Sequence, residues 1–233
     1  TKLQQDKMTE IDIARIADMF FQQMGWELFP EVVLTNFGGR PDLIAVKNSL
    51  CMIIECKKTF SYPVIEQLAR WQEEMAHWSK NQSTKEHKRR GMPHLLIAFT
   101  EKATSSHSAL KTRIIKELRI GHYSVSRKPH CDSFLSSMTD KLGEFRHYGD
   151  GKYYTMQFEN YRYEVRMEIE PKLQIGSRQT AHRIVNKLHA DMKDGVAAGS
   201  SGKEGGQVTP FRMTMNKVKR VLDSGGEWHI VNI

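Results

Sequence analysis

Residues 43–54, LIAVKNSLCMII, contain two apolar runs that meet at Asn48-Ser49. That spacing suits a two-residue turn between antiparallel strands. Leu43 and Ala45 fall on one side of the first strand and Ile44 and Val46 on the other, while Cys51 and Ile53 alternate with Met52 and Ile54 in the second. Both faces are therefore apolar, and strands of that kind lie in sheets covered by helices on both sides. The hairpin predicts a layered α/β core with these strands inside it.

The turn also fixes a register. Pairing Lys47 with Leu50 sets Asp42 opposite Glu55, and strand alternation puts Asp42, Glu55 and Lys57 on one face with Cys56 on the other. Two carboxylates facing each other across a ladder repel, and burial adds a desolvation penalty, so an unassisted pair holds a proton. A bound divalent cation removes the conflict. Hard ions such as magnesium take carboxylate oxygens and keep several waters, which leaves positions for a phosphate and a nucleophile. Lys57 would then hold the attacking water or the phosphate. A plainer reading has Asp42 starting a strand after a Gly-Gly-Arg-Pro turn, with Glu55 and Lys57 as a strand-end salt bridge.

Pro41-Asp42 followed by Glu55-Cys56-Lys57 resembles the core motif of the PD-(D/E)xK nuclease superfamily, the restriction-endonuclease-like fold. The stretch RPDLIAVKNSLCMIIECKK is especially similar to the corresponding hairpin of archaeal Holliday-junction resolvases. Two more positions match. Glu10 opens a helical stretch where many members carry a Glu on the first helix, and Gln67, with Trp71 four residues later, sits where RecB-like members carry Gln-x-x-x-Tyr.

The resemblance implies a restriction-endonuclease-like core, with a central mixed sheet flanked by helices, and a metal-dependent nuclease, first of all a DNA endonuclease. In that reading Asp42 and Glu55 bind magnesium or manganese, with the Cys56 carbonyl as a backbone ligand. Glu10 adds a second metal site or holds a coordinated water, Lys57 orients or activates water, and Gln67 positions substrate or Lys57. DNA is the expected partner and RNA the second, with a homodimer or a partner protein as a further expectation. Three rivals share the same residues: a resolvase of branched DNA, an RNA-directed nuclease, and a non-catalytic nucleic-acid-binding protein on the same fold.

Each helix position also has a local reading. Thr9 can cap the first helix, and Glu10 shares a face with Ala14, Ala17, Phe21 and Met24, the side that packs inward. A first-turn acid favoured by the helix dipole explains Glu10 equally well. Gln67 and Trp71 lie one turn apart and project together, and core packing accounts for Trp71 as well.

Around the motif, ELFPEVVLTNF supplies a strand before the hairpin and SYPVIEQLARWQEEMAHWSK a helix after it. HLLIAFT reads as a strand, SHSALKTRIIKELRIG as a helix ended by Gly121, and HYSVSR as a further strand. The order α-β-β-β-α-β-α-β is that of the nuclease fold. Arg40, Lys58, Lys88, Arg89 and Arg90 are the candidate phosphate contacts, joined by Lys111, Arg113, Lys116 and Arg119, although charge runs also serve simply as solvated faces.

A change of pattern near residue 130 predicts a division: a nuclease core over 1–130, then a smaller α+β C-terminal region. In residues 131–194, KYYTMQFENYRYEVRMEIE alternates, with Tyr161, Tyr163, Val165, Met167 and Ile169 on one face, and predicts an amphipathic hairpin turning at Glu159-Asn160. SRQTAHRIVNKLHADM predicts a helix whose Ala181, Ile184, Val185 and Leu188 cover that face. Residues 195–207, GVAAGSSGKEGGQ, read as a flexible linker or loop, and 208–233 as a helix-strand element capped by Thr209 and Pro210.

With 233 residues the chain can bury a substantial core. A formal charge of +8 and a pI near 9.3 favour an anionic partner, and nucleic acid is the usual one. Cys51, Cys56 and Cys131 show neither a disulfide framework nor zinc spacing, which fits a reducing compartment. The sequence shows no long apolar span, so the expectation is a cytoplasmic protein without a membrane partner.

Overall fold

The first helix starts where a side chain replaces the missing backbone partners. The Thr9 hydroxyl accepts from the Asp12 N–H at 3.1 Å, and the Asp12 carboxylate accepts from the Thr9 N–H at 2.8 Å, closing a capping box. From there α1 runs over Glu10–Gln23 and buries Ile13, Ala14, Ile16, Ala17, Phe20 and Phe21. At its far end the Lys47 ammonium donates to the Met24 carbonyl, a cation at the negative pole of the helix. The computed structural model describes residues 8–34, 39–72, 91–103, 108–129, 143–148 and 151–193, with Val218 and Asp223.

Strands β1 (Glu27–Pro30), β2 (Leu43–Lys47) and β3 (Leu50–Lys57) pair antiparallel, and Lys47 pairs with Leu50 as the sequence predicts. Asn48 and Ser49 have φ of 47° and 66°, the left-handed pair that a type I′ turn requires. Helix α2 (Tyr62–Ala69) follows and tightens into a 3₁₀ turn over Arg70–Gln72. Strand β4 (Leu95–Glu101), helix α3 (Ala109–Glu117) and strand β5 (Ile120–Pro129) complete the first half, β4 and β5 being parallel to β3. The predicted order of elements is thus observed through residue 129.

One predicted boundary moves. Helix α3 ends at Glu117 with Leu118 as its cap, and Arg119, not Gly121, takes the left-handed conformation (φ 57°). Gly121 already lies in β5, where a Cβ would meet Pro171 at 2.7 Å, so the glycine serves a close approach and not a helix stop.

The hairpin at Glu159-Asn160 forms as expected, from β7 (Tyr153–Phe158) and β8 (Tyr161–Ile169), with β6 (Arg146–Tyr148) outside it. It does not build a sheet of its own. Strand β8 pairs with β5, giving one mixed sheet of eight strands in the order β1-β2-β3-β4-β5-β8-β7-β6. The change of pattern near residue 130 therefore marks a switch from helix-covered strands to an antiparallel extension of the same sheet.

Helix α1 covers one face, against Leu43, Ala45, Met52, Ile54, Phe99 and Tyr123. Tyr163 and Val165 of the hairpin join that cluster, so α1 and its aromatic neighbours cover the hairpin face. The predicted covering helix goes elsewhere. It breaks into short turns, α4 (Ser177–Thr180) and α5 (His182–Val185), and Ala181 and Ile184 pack on the opposite face with Ile53, Leu68, Leu96 and Ile120. Once β8 is joined to β5, its apolar side continues that of Tyr123 and Val125, and the later helical turns are left with the other face.

Ile169 crosses over too. The ladder pairs Tyr123 with Met167 but His122 with Ile169, so Glu168 is an extra residue and the alternation reverses there. Ile169 accordingly packs with the α2 and α3 side. Trp71 is also buried in that cluster, as its core-packing reading has it.

Among the described residues no helix is long and apolar enough to cross a membrane. Lys88, Arg89, Arg90, Cys131, the 195–207 linker, and the 208–233 element apart from Val218 and Asp223 lie outside the described residues.

Candidate active site

The residues singled out by the hairpin come together at the end of the sheet. Leu43 pairs with Ile54, so Asp42 and Glu55 face each other one step beyond that pair. Both are buried, at 6% and 5% exposure. Glu55 alternates with Ile53 and so shares the α2 face, whereas Cys56 lies in the α1 cluster.

Asp42 is held by two donors from the opposite strand. Its Oδ2 accepts from the Cys56 N–H at 2.7 Å and from the Lys57 ammonium at 3.2 Å. The same ammonium lies 3.7 Å from Glu10 Oε2, so the first helix contributes its acid from across the sheet end. Asp42, Glu55, Lys57 and Glu10 thus form one electrostatic unit.

The electrostatics follow from burial. Desolvation, then the charge of Asp42, pushes the Glu55 carboxyl well above the usual carboxylate range, and a hydrogen bond to Asp42 adds to the rise. Lys57 is pulled down by burial, but Asp42, Glu55 and Glu10 outweigh that and raise it, so it stays an ammonium. Burial, then Asp42 and Glu55, pushes the Cys56 thiol well up, so on the α1 face it stays a thiol and not a thiolate.

The donor set suits a hard divalent cation. Two carboxylates compete for one proton, which a cation between them would replace. Among the described residues no group of three or more His, Cys, Asp or Glu is gathered for a metal. Magnesium needs no such cage, because it is commonly held by one or two carboxylates together with water and substrate phosphate.

The other predicted residues divide. Gln67 makes no hydrogen bond to Asp42, Glu55 or Lys57, and its Oε1 is buried without a hydrogen-bond partner among the described residues. Arg40 pairs through Nε with Glu31 Oε2 at 3.0 Å. Lys58 is exposed beside Lys57. On α3, the Lys111 ammonium donates to the Phe60 carbonyl, and Arg113 pairs with Glu117.

Two features went unread in the sequence. Glu31, 2% exposed, donates its backbone N–H to the Asp42 carbonyl at 3.1 Å. The available signal was a carboxylate inside the apolar run LFPEVVL. Next to Lys57 in the parallel register lies Thr100, whose Oγ1 is 2.9 Å from Nε2 of the fully buried His122, itself stacked on Phe60 at 4.3 Å. No local pattern marks that network, since its members come from three separate segments.

No protein-family model, curated protein or solved structure matches this chain.

Proposed function

We propose that the chain is a metal-dependent phosphodiesterase of nucleic acid, first of all a DNA endonuclease, on a restriction-endonuclease-like fold of the PD-(D/E)xK kind. The supporting observation is the buried pair Asp42 and Glu55, set face to face at the end of a mixed sheet with the Lys57 ammonium 3.2 Å from Asp42. A chain that only needed to fold would be more stable with apolar residues at both positions.

Asp42, Glu55 and the Cys56 carbonyl would hold magnesium or manganese. The bound ion would polarise the phosphate and lower the pKa of a coordinated water. Asp42 is kept in place by the Cys56 N–H, a backbone donor of the facing strand. Lys57, with its raised proton affinity, is a poor base at neutral pH, so it orients water and stabilises charge building on the phosphate. Glu10 holds the ammonium from the other side, at a partly exposed position open to a second water or ion. From α2, Gln67 would position substrate or Lys57 as the resemblance implies, its Oε1 being buried and outside the hydrogen bonds of the acid pair. The net charge of +8 favours a polyanion.

The test is cleavage by the full chain of linear duplex, single-stranded and four-way DNA, and of RNA, with magnesium, manganese or chelator, beside Lys57→Ala. Metal-dependent cleavage that the substitution abolishes supports the reading, and the preferred substrate separates endonuclease, resolvase and RNA-directed nuclease. Salt-sensitive binding without cleavage under either metal would replace the enzyme with a binding protein.

A further inference from the structure

Glu31 is a buried acid in an unfavourable backbone conformation. Its φ is 53°, in the left-handed region where a residue with a Cβ is strained, and its side chain is 2% exposed. Its contacts give that position a purpose. The side chain grips Arg40 Nε at 3.0 Å, and the main-chain N–H grips the Asp42 carbonyl at 3.1 Å. Glu31 therefore holds both ends of the tripeptide Arg40-Pro41-Asp42, which delivers one half of the acid pair.

Arg40 gains most from this. A guanidinium carries five N–H donors in a rigid fork. The contact with Glu31 engages Nε, on the inner edge of that fork. The side chain is 24% exposed, so it is anchored at its inner edge and reaches solvent beyond it. Immobilising an arginine before substrate arrives removes an entropy cost otherwise met on binding.

We propose that Glu31 is a positioning residue that pre-orients Arg40, and that the outer edge of the Arg40 guanidinium binds a backbone phosphate of the nucleic acid beside Asp42 and Glu55. This rests on the nuclease reading of the same site. A purely architectural pair would have Arg40 only neutralise the buried Glu31, and would leave substrate binding untouched.

The test is fluorescence anisotropy of a labelled DNA duplex with the full chain in calcium, titrated over a range of salt. One phosphate contact contributes about 0.9 to the slope of log affinity against log salt. Arg40→Ala should lower the slope by that amount. Glu31→Gln, which keeps the shape of the side chain, should leave the slope unchanged and weaken binding about two- to tenfold, the cost of ordering one long side chain. The double variant Glu31→Gln/Arg40→Ala removes both charges of the pair, and should show the Arg40→Ala slope even if Arg40→Ala alone does not fold.

An unchanged slope in both Arg40 variants would overturn the phosphate contact, and unchanged affinity in Glu31→Gln would overturn the anchoring. If the unsubstituted chain binds no duplex at any salt, the nucleic-acid reading itself fails. That result is distinguishable from the other two.

Discussion

In metal-free protein, Glu55→Gln should make the fold more stable at neutral pH. Residues opposed across an antiparallel pair have Cβ atoms about 5 Å apart. If both were ionised, two like charges at that separation would repel by about 3 kcal/mol at an effective dielectric near 20, a cost that the folded protein meets either as repulsion or by keeping Glu55 protonated. The Lys57 ammonium, 3.2 Å from Asp42 and partly exposed, offsets part of this, leaving about 1–2 kcal/mol. For a chain of this size each kcal/mol moves the melting temperature by about 2–4 °C.

The pH dependence has a definite sign. Burial, then Asp42, raises the Glu55 carboxyl in the folded protein, so the folded state holds a proton that the unfolded state releases. Stability from that proton is fully present below the ordinary glutamate value of about 4.3 and is lost as pH rises through the folded value. Thermal unfolding in chelator should therefore show wild type and Glu55→Gln converging near pH 4 and separating toward pH 8, the variant higher. Magnesium should raise the wild type and leave the variant almost unmoved. A variant that melts below wild type at pH 8, or a gap that ignores pH, would refute the reasoning.

Other perturbations test the frame around the site. Phe20 is fully buried between Phe21, Phe99, Tyr123, Phe145 and Tyr154, at ring separations of 5.0–6.2 Å, so Phe20→Ala should cost about 3–5 kcal/mol by urea unfolding. Ser49 sits at φ 66° in the turn that sets the Asp42–Glu55 register, and Ser49→Gly should stabilise by about 0.5–1 kcal/mol in the same assay. His94 Nδ1 accepts the Cys51 N–H at 3.0 Å, and burial, then Arg178, lowers its pKa. Its contribution is present above about pH 6.5 and is lost as pH falls toward the folded value, so a melting temperature that drops on acidification in the Glu55→Gln background, and not in Glu55→Gln/His94→Asn, is the expected result.

The legible part of the molecule was the part whose signals are local. Asn48-Ser49 set a turn, the turn set a register, and the register placed Asp42 against Glu55 with no further information. Thr9 and Asp12 closed the predicted helix start in the same way. The path of the second hairpin was not legible, because β8 pairing with β5 depends on a contact between residues some 40 positions apart, and alternation shows only that one face needs cover. The extra residue Glu168, which sends Ile169 to the other face, was hidden by an alternation that continues through it in sequence. Glu31 escaped notice for a related reason: its partner Arg40 and its hydrogen-bonded neighbour Asp42 approach it only once β1 and β2 are paired.

The most direct test of the cation between Asp42 and Glu55 is a titration of manganese into the full chain, followed by electron paramagnetic resonance of the free ion, beside Asp42→Asn and Glu55→Gln. One or two saturable sites in the unsubstituted chain, displaced by magnesium and weakened at least tenfold in each variant, is the expected result. Binding that is absent, or that is equal in all three proteins, would contradict the account and leave the buried carboxylates as a shared-proton pair with Lys57.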